Sequence, residues 1–362
     1  MFTEEIEMSH DTISTETNKE KRQLGTYLLK FGVPFVVSVG LCWLLFKNVD
    51  FGQMWHIIRT ECNFYWIGLN LLLNVLAHVW RASRWKIQLD ALGIKVSLWQ
   101  LTLSIFGTYA VNLVFPRLGE VWRTGYISAR NSASFTTVFG SMIAERLADM
   151  FTVASLLLFT FIIAGHQLSA YLSQNPEKFN MVMDLISSPV LWGGIVAVLV
   201  TVWWIFVKYP QNKVISIVRR IWSGLWEGFA VIAKMPGKGR WLLFTGLLWG
   251  SYFTALYCAF RAFPLTSEVI TVYGFGALLV CFVMTSVSMG VPSNGGIGPW
   301  QWAMVFCLGF YAAGIPGLTT EYTVSFANLV MGVETLLSII LGLFTFGWIA
   351  VEKRSSKTVS IK

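Results

Sequence analysis

Charge is what this sequence has least of. Only 13% of its 362 residues are Asp, Glu, Lys or Arg, and its mean hydropathy is +0.61. A soluble domain carries about 25% charged residues, so the shortfall argues against a water-soluble globule and places most of the chain where charge is costly. Cysteine is scarce as well. Cys42, Cys62, Cys258, Cys281 and Cys307 are scattered without CxxC spacing, which gives neither a disulfide framework nor a thiolate metal site and leaves small apolar packing as their role. No GxSxG, HExxH, P-loop or dinucleotide fingerprint occurs, so the common hydrolase, metalloprotease and nucleotide sites are not encoded. No metal, cofactor or nucleic-acid partner is expected. A membrane transferase acting on a polyprenyl phosphate needs none of those motifs and stays open.

What the chain does have is a series of apolar windows, near 27–46, 64–80, 98–115, 137–165, 187–207, 241–263, 270–290, 297–313 and 325–350. Several exceed the roughly 20 residues that cross a bilayer. Those at 98–115 and 297–313 are short and abut Pro/Gly breaks. Residues 1–26, polar through Gln23, read as a disordered cytoplasmic tail, and 351–362 as a basic cytoplasmic tail. Lys and Arg orient the rest. They gather at 81–95 (Arg81, Arg84, Lys86, Lys95), at 208–240 and after 350, and are absent from 264–269 and 314–324. Both termini, 81–95 and 208–240 should therefore face the cytoplasm across the inner (plasma) membrane.

This orientation constrains the short windows. The stretch 98–130 carries Arg117, Arg123 and Arg130 and should enter and return on the cytoplasmic side, as a re-entrant hairpin. Such broken backbone is tolerated at membrane depth only where protein or a wet cavity surrounds it. Residues 270–313 must return to the outer side, as a second hairpin or as two full spans. The two stretches share a pattern: Phe106 and Phe282 each stand ten residues before a proline, Pro116 and Pro292, with Gly119 and Gly295 three residues later. The expected fold is an all-α polytopic membrane protein, an inverted repeat of helices with two re-entrant hairpins, comprising six full spans besides the hairpins. In transporters of that plan the site forms where broken helices meet.

Four ordered blocks carry a resemblance. They are Arg81-Ala-Ser-Arg84-Trp85; Asn112-Leu-Val-Phe-Pro116-Arg117-Leu-Gly119-Glu120-Val-Trp-Arg123; Ile143-Ala-Glu145-Arg146-Leu-Ala-Asp149; and Pro292-Ser-Asn-Gly295-Gly296-Ile297-Gly298. Together they resemble the flippase-like transmembrane domain of the lysylphosphatidylglycerol synthases, over residues 27–350. The resemblance implies movement of a lipid between leaflets. A full synthase carries an aminoacyl-transferase domain after the membrane domain. Here twelve residues follow position 350, so aminoacyl transfer is not expected and the chain reads as a transporter rather than an enzyme. Some free-standing relatives are named for sugar chemistry on dolichol phosphate, which keeps the transferase alternative in view.

The candidate substrate-binding residues fall into four groups. Asn70, Asn74, His78 and Arg81 step by four, four and three along one helical face. They form either a wall for a lipid head group or interhelical hydrogen bonds worth about 0.6 kcal/mol each. Arg84 reads as interfacial. At the first break, Arg117 and Arg123 can fork onto phosphate, Asn112 opens the block, and Glu120 can hold an arginine. Ser141, Glu145 and Asp149 share a face at i, i+4, i+8, with Arg117 or Arg123 the expected mate. Arg146 points about 100° away from Glu145, and a carboxylate left without a mate would be a proton site. At the second break, amides around Asn294, Gly295 and Gly296 can bind an anion at a helix start or make a plain turn. Glu334 mirrors Glu145 in the other half. The expected partners are membrane lipids with anionic head groups, with a second copy of the chain or a separate lipid synthase as protein partner. A non-transporting partner of such a synthase is the other alternative.

Overall fold

The computed structural model describes residues 51–174, 184, 187–208 and 235–359. The tail at 1–26, the window at 27–46, part of 166–186, most of 208–240 and the last residues of the basic tail lie outside the described residues. In chain order the helices are α1 Phe51–Glu61, α2 Phe64–Ala91, α3 Leu98–Val114, α4 Leu118–Arg130, α5 Phe135–Gln174, α6 Pro189–Lys208, α7 Lys238–Arg261, α8 Pro264–Ser288, α9 Pro299–Tyr311 and α10 Thr320–Val359, with no strand among the described residues. Among the described residues four stretches are long and apolar enough to cross a bilayer: Phe135–Ile163, Lys238–Arg261, Pro264–Ser288 and Thr320–Glu352. A fifth results if α1 and α2, bent by 91° at their junction, make one span. The outer faces are apolar, with Leu158 67%, Ile162 79% and Leu343 68% exposed. Water-soluble proteins rarely leave such faces bare, whereas lipid solvates them. The molecule is a polytopic all-α membrane protein.

Local chemistry sets the helix ends. Asn63 and Ser97 cap α2 and α3, their side chains accepting from the amides of Tyr65 and Gln100 at 3.1 and 3.2 Å. Pro264 and Pro299 open α8 and α9, where a missing N–H costs nothing. The chain breaks before Pro116 because the residue preceding a proline is pushed out of the helical region. Two sequence expectations change. Residues 51–61 are helical although no apolar window marks them. The basic stretch 81–95, which follows the apolar window at 64–80, is helical through most of its length: α2 continues to Ala91 and buries Arg81 and Arg84.

Two cores result. Ala82, Trp85, Leu89, Leu101, Ile105, Ile127 and Val138 join α2, α3, α4 and α5. Phe260, Phe263, Leu278, Cys281, Cys307 and Phe326 join α7, α8, α9 and α10, with Phe326 edge-on to Phe260 and Phe263. The two sets interlock: α2 packs along α7, α3 against α10, and α8 against α5. Exchanging the two sets of four helices leaves these pairings unchanged.

The α3–α4 pair starts and ends at one end of α10. Trp99 meets Phe344 and Trp348, and after the turn Arg130 pairs with Glu352. The α8–α9 pair starts and ends at the other end of α10, with Phe263 on Tyr322 and Tyr273 on Tyr311, just before Ile315. Their tips meet. Lipid tails give helices no hydrophobic reason to associate, so close packing must supply it. Gly342 of α10 lies directly against Ala110 of α3, a contact that only small residues permit.

Candidate functional site

Three helices bring charge together in the interior. From α2, Arg81 Nη1 donates to Glu145 Oε1 at 3.1 Å and to Asp149 Oδ2 at 2.8 Å. Arg84 Nη2 repeats the pattern one turn on, at 3.1 Å to Glu145 Oε1 and 2.8 Å to Asp149 Oδ1. From α4, Arg123 Nη2 reaches Glu145 Oε2 at 2.8 Å. The carboxylates lie one turn apart on α5, so each arginine of α2 bridges both. Arg84, Arg123 and Glu145 are 0% exposed. Arg146, on the other flank of α5, pairs with Glu120 at 3.3 Å and with Asp149 at 3.6 Å. Asn112 holds Glu120 in place, donating from Nδ2 to Oε2 at 3.2 Å, while its Oδ1 accepts from the Gly119 amide at 2.8 Å.

Aromatic rings wall this network. The Arg123 guanidinium sits 4.5 Å above the Trp85 ring and that of Arg84 5.7 Å from Trp241, where a cation gains from the ring quadrupole. Trp85 donates to Ser141 Oγ at 3.0 Å, fixing the ring under Arg123. Arg81, Arg84, Arg123 and Arg146 face Glu120, Glu145 and Asp149, one more positive group than negative. Donors are left over: the Nε of all four arginines and the Nη1 of Arg84 and Arg123 are buried with no acceptor among the described residues.

The hairpin tips form a second constellation. Arg117, in the left-handed region at φ 63°, donates from Nη2 to the carbonyls of Met289 and Gly290 at 2.9 and 3.2 Å. Asn294 returns the gesture, donating from Nδ2 to the carbonyls of Leu113 and Val114 at 3.0 and 3.4 Å. Gly295, at φ 63°, packs against the Leu113 side chain with no room for a side chain of its own. At the start of α9 the Gly298 amide is already taken by Gln301 Oε1 at 2.7 Å.

The polar stripe of α2 faces inward throughout. Asn70 donates to the Ala255 carbonyl at 2.9 Å and Asn74 to Glu334 Oε1 at 3.2 Å. His78 lies 4.4 Å from the Tyr109 ring, and the Tyr109 and Tyr252 hydroxyls are 3.4 Å apart.

The expected residues thus gather in three places. Arg81, Arg123, Glu145, Arg146, Asp149, Glu120 and Asn112 share the charge network. Arg117, Asn294 and Gly295 belong to the tips, and Gly296 packs on Met289 beside them. Asn74 and Glu334 pair apart from both. Two readings are corrected. Arg117 is not the mate of Glu145, because its turn at Pro116 aims it at the opposite hairpin. Arg84 is not interfacial but sits at the centre. At the second break, where an anion site and a plain turn were both open, the Gly298 amide is occupied by Gln301. Sequence reasoning missed Trp85, Trp241, Tyr109 and Tyr252. The signal for Arg84 was present, since it extends the Asn74–His78–Arg81 stripe by one further step of three.

The family described as the lysylphosphatidylglycerol synthase TM region matches residues 32–342, most of the chain and the whole of the site. No curated protein and no solved structure matches the chain.

Proposed function

The chain belongs to the lysylphosphatidylglycerol synthase TM region family, and from that premise we propose that it moves an anionic lipid, a phospholipid or a polyprenyl-phosphate carrier, between the leaflets of the plasma membrane. The observation that carries this reading is the surplus of buried guanidinium donors. An unpaired buried donor costs about 1–3 kcal/mol, more when charged, and charge within a membrane protein marks function by default. A phosphate monoanion brings the missing negative charge and several acceptor oxygens, and Arg84 Nη1 and Arg123 Nη1 are the donors that would bind it. Acyl or prenyl tails would stay in lipid while the head group crosses between the hairpins.

In this reading the α3–α4 and α8–α9 pairs are re-entrant hairpins entering from opposite leaflets, the two sets of helices are an inverted repeat, and both termini are cytoplasmic. The polypeptide performs transport and no group transfer of its own. A separate lipid synthase supplies the cargo in the neighbouring bilayer. The test is lipid movement in proteoliposomes, with fluorescent anionic and zwitterionic phospholipids and a polyprenyl phosphate, comparing the unmodified protein with Arg84→Ala and Arg123→Ala. Movement of an anionic lipid that both substitutions abolish in folded protein supports the reading. If no lipid moves in either direction, transport is the wrong function.

A further inference from the structure

One acid is unlike the others, the half-buried Glu334. Inside the helices Glu120, Glu145 and Asp149 each have an arginine within 3.3 Å. Glu334, near the middle of the Thr320–Glu352 span, has no ion pair among the described residues. Its partner is the Asn74 amide, at 3.2 Å to Oε1, and Asn74 leans in turn on Asn70.

Among the described residues the helices packed against α10 offer it no countercharge. From α2 the groups facing it are the amides of Asn70 and Asn74. On α3, Tyr109 is turned to His78 and Tyr252, and Asn112 is bound to Glu120 and the Gly119 amide. From α9 Gln301 is bound to Asn328, and from α1 Met54 lies on that same asparagine. An ionised carboxylate with amide donors alone, at membrane depth, bears an uncompensated charge that costs several kcal/mol. An N–H pointed at Oε1 also disfavours a metal ion there, which would need oxygen ligands. A proton on Oε2 removes the charge and keeps the Asn74 hydrogen bond.

The position of Glu334 connects it to the arginines. Asn74 and Arg81 lie on one face of α2, seven residues or about 10.5 Å apart, with His78 between them against the Tyr109 ring. We propose that Glu334 is the protonation site that couples lipid movement to protons: its carboxyl is neutral while the neighbouring helices enclose it and releases its proton only when they part to admit water. This rests on the transport reading above. The step is proton exchange between water and one carboxylate oxygen, and nothing else is consumed.

Two measurements on the full-length protein in proteoliposomes test it separately. Dicyclohexylcarbodiimide adds to protonated carboxyls in apolar surroundings, and peptide mass spectrometry locates the adduct. The expected adduct is on Glu334, absent from Glu145 and Asp149, and reduced as the medium is made alkaline. Transport is then measured under an imposed pH difference. For the unmodified protein one pH unit shifts the lipid distribution between leaflets by up to about tenfold per coupled proton, whereas Glu334→Gln moves lipid to a distribution that ignores the gradient. No adduct on Glu334 at any pH overturns the proposal, as does a gradient response that survives Glu334→Gln or is absent from the unmodified protein. Should the unmodified protein move no lipid at all, the transport reading falls. The labelling then decides by itself whether Glu334 is a protonation site.

Discussion

At the scale of residues, Glu145 is the fully enclosed carboxylate of the site, accepting from Arg81, Arg84 and Arg123 at once. Removing one partner of a buried pair leaves an uncompensated charge and costs about 3–5 kcal/mol, so Glu145→Gln should lower the thermal unfolding midpoint sharply in detergent and abolish transport. Arg117 offers the contrast. It touches two backbone carbonyls and no carboxylate, so Arg117→Ala should cost no more than about 2 kcal/mol, leaving the unfolding midpoint near that of the unmodified protein while changing the lipid transport rate. An equal loss of stability in both variants would contradict this assignment. The two arginines stand close together at one proline break, and their residue types could not tell them apart. Arg123 lies about one and a half turns into α4 on the side facing α5, whereas Arg117 precedes the helix with a left-handed backbone. Periodicity is informative inside a helix and silent at its cap, so the sequence left open which of the two meets Glu145.

At the scale of elements, the α3–α4 hairpin depends on how closely its arms approach. A Cβ at Gly119 would run into the Thr108 carbonyl and the Asn112 side chain. Gly119→Ala should therefore push the arms apart at about 1–3 kcal/mol and loosen the Asn112–Glu120 contact. Gly125, on the same helix with nothing near its missing Cβ, is the control: Gly125→Ala should stabilise by about 0.5–1 kcal/mol, since alanine suits a helix better than glycine. Thermal unfolding of the two variants side by side checks both signs. The helices themselves were largely legible, because apolar windows and Pro/Gly punctuation are local properties. The end of α2 was not. Lys and Arg counting reads 81–95 only as one cytoplasmic segment, because the positive-inside rule counts charge without knowing its partners. The carboxylates that let the helix continue to Ala91 lie more than sixty positions away on α5.

At the scale of the whole molecule, the two hairpins are clasped at their tips by Arg117 and Asn294, each donating to the carbonyls that end the helix before the opposite break. If lipid passes between them the clasp must open. A cysteine pair at Leu113 and Gly295 should oxidise readily, since a Cβ at Gly295 lies 3.9 Å from Leu113 Cα, and the left-handed backbone there adds about 1–2 kcal/mol of strain. Oxidised Leu113→Cys/Gly295→Cys should stop transport and reduction should restore it; undiminished transport through the cross-linked protein would show that the tips need not part. The repeated Phe–Pro–Gly spacing hinted at two similar breaks, but not that they touch. By itself the sequence determined that the chain is helical and lies in a membrane, where the proline and glycine breaks fall, and which family it belongs to. These follow from local composition, hydropathy and short motifs. Only the tertiary structure decided which charges meet: Arg84 with Glu145, Arg117 with the opposite hairpin, and Glu334 with no cation among the described residues. Pairing depends on which helix faces share the interior, and in lipid that is settled by close packing between distant segments.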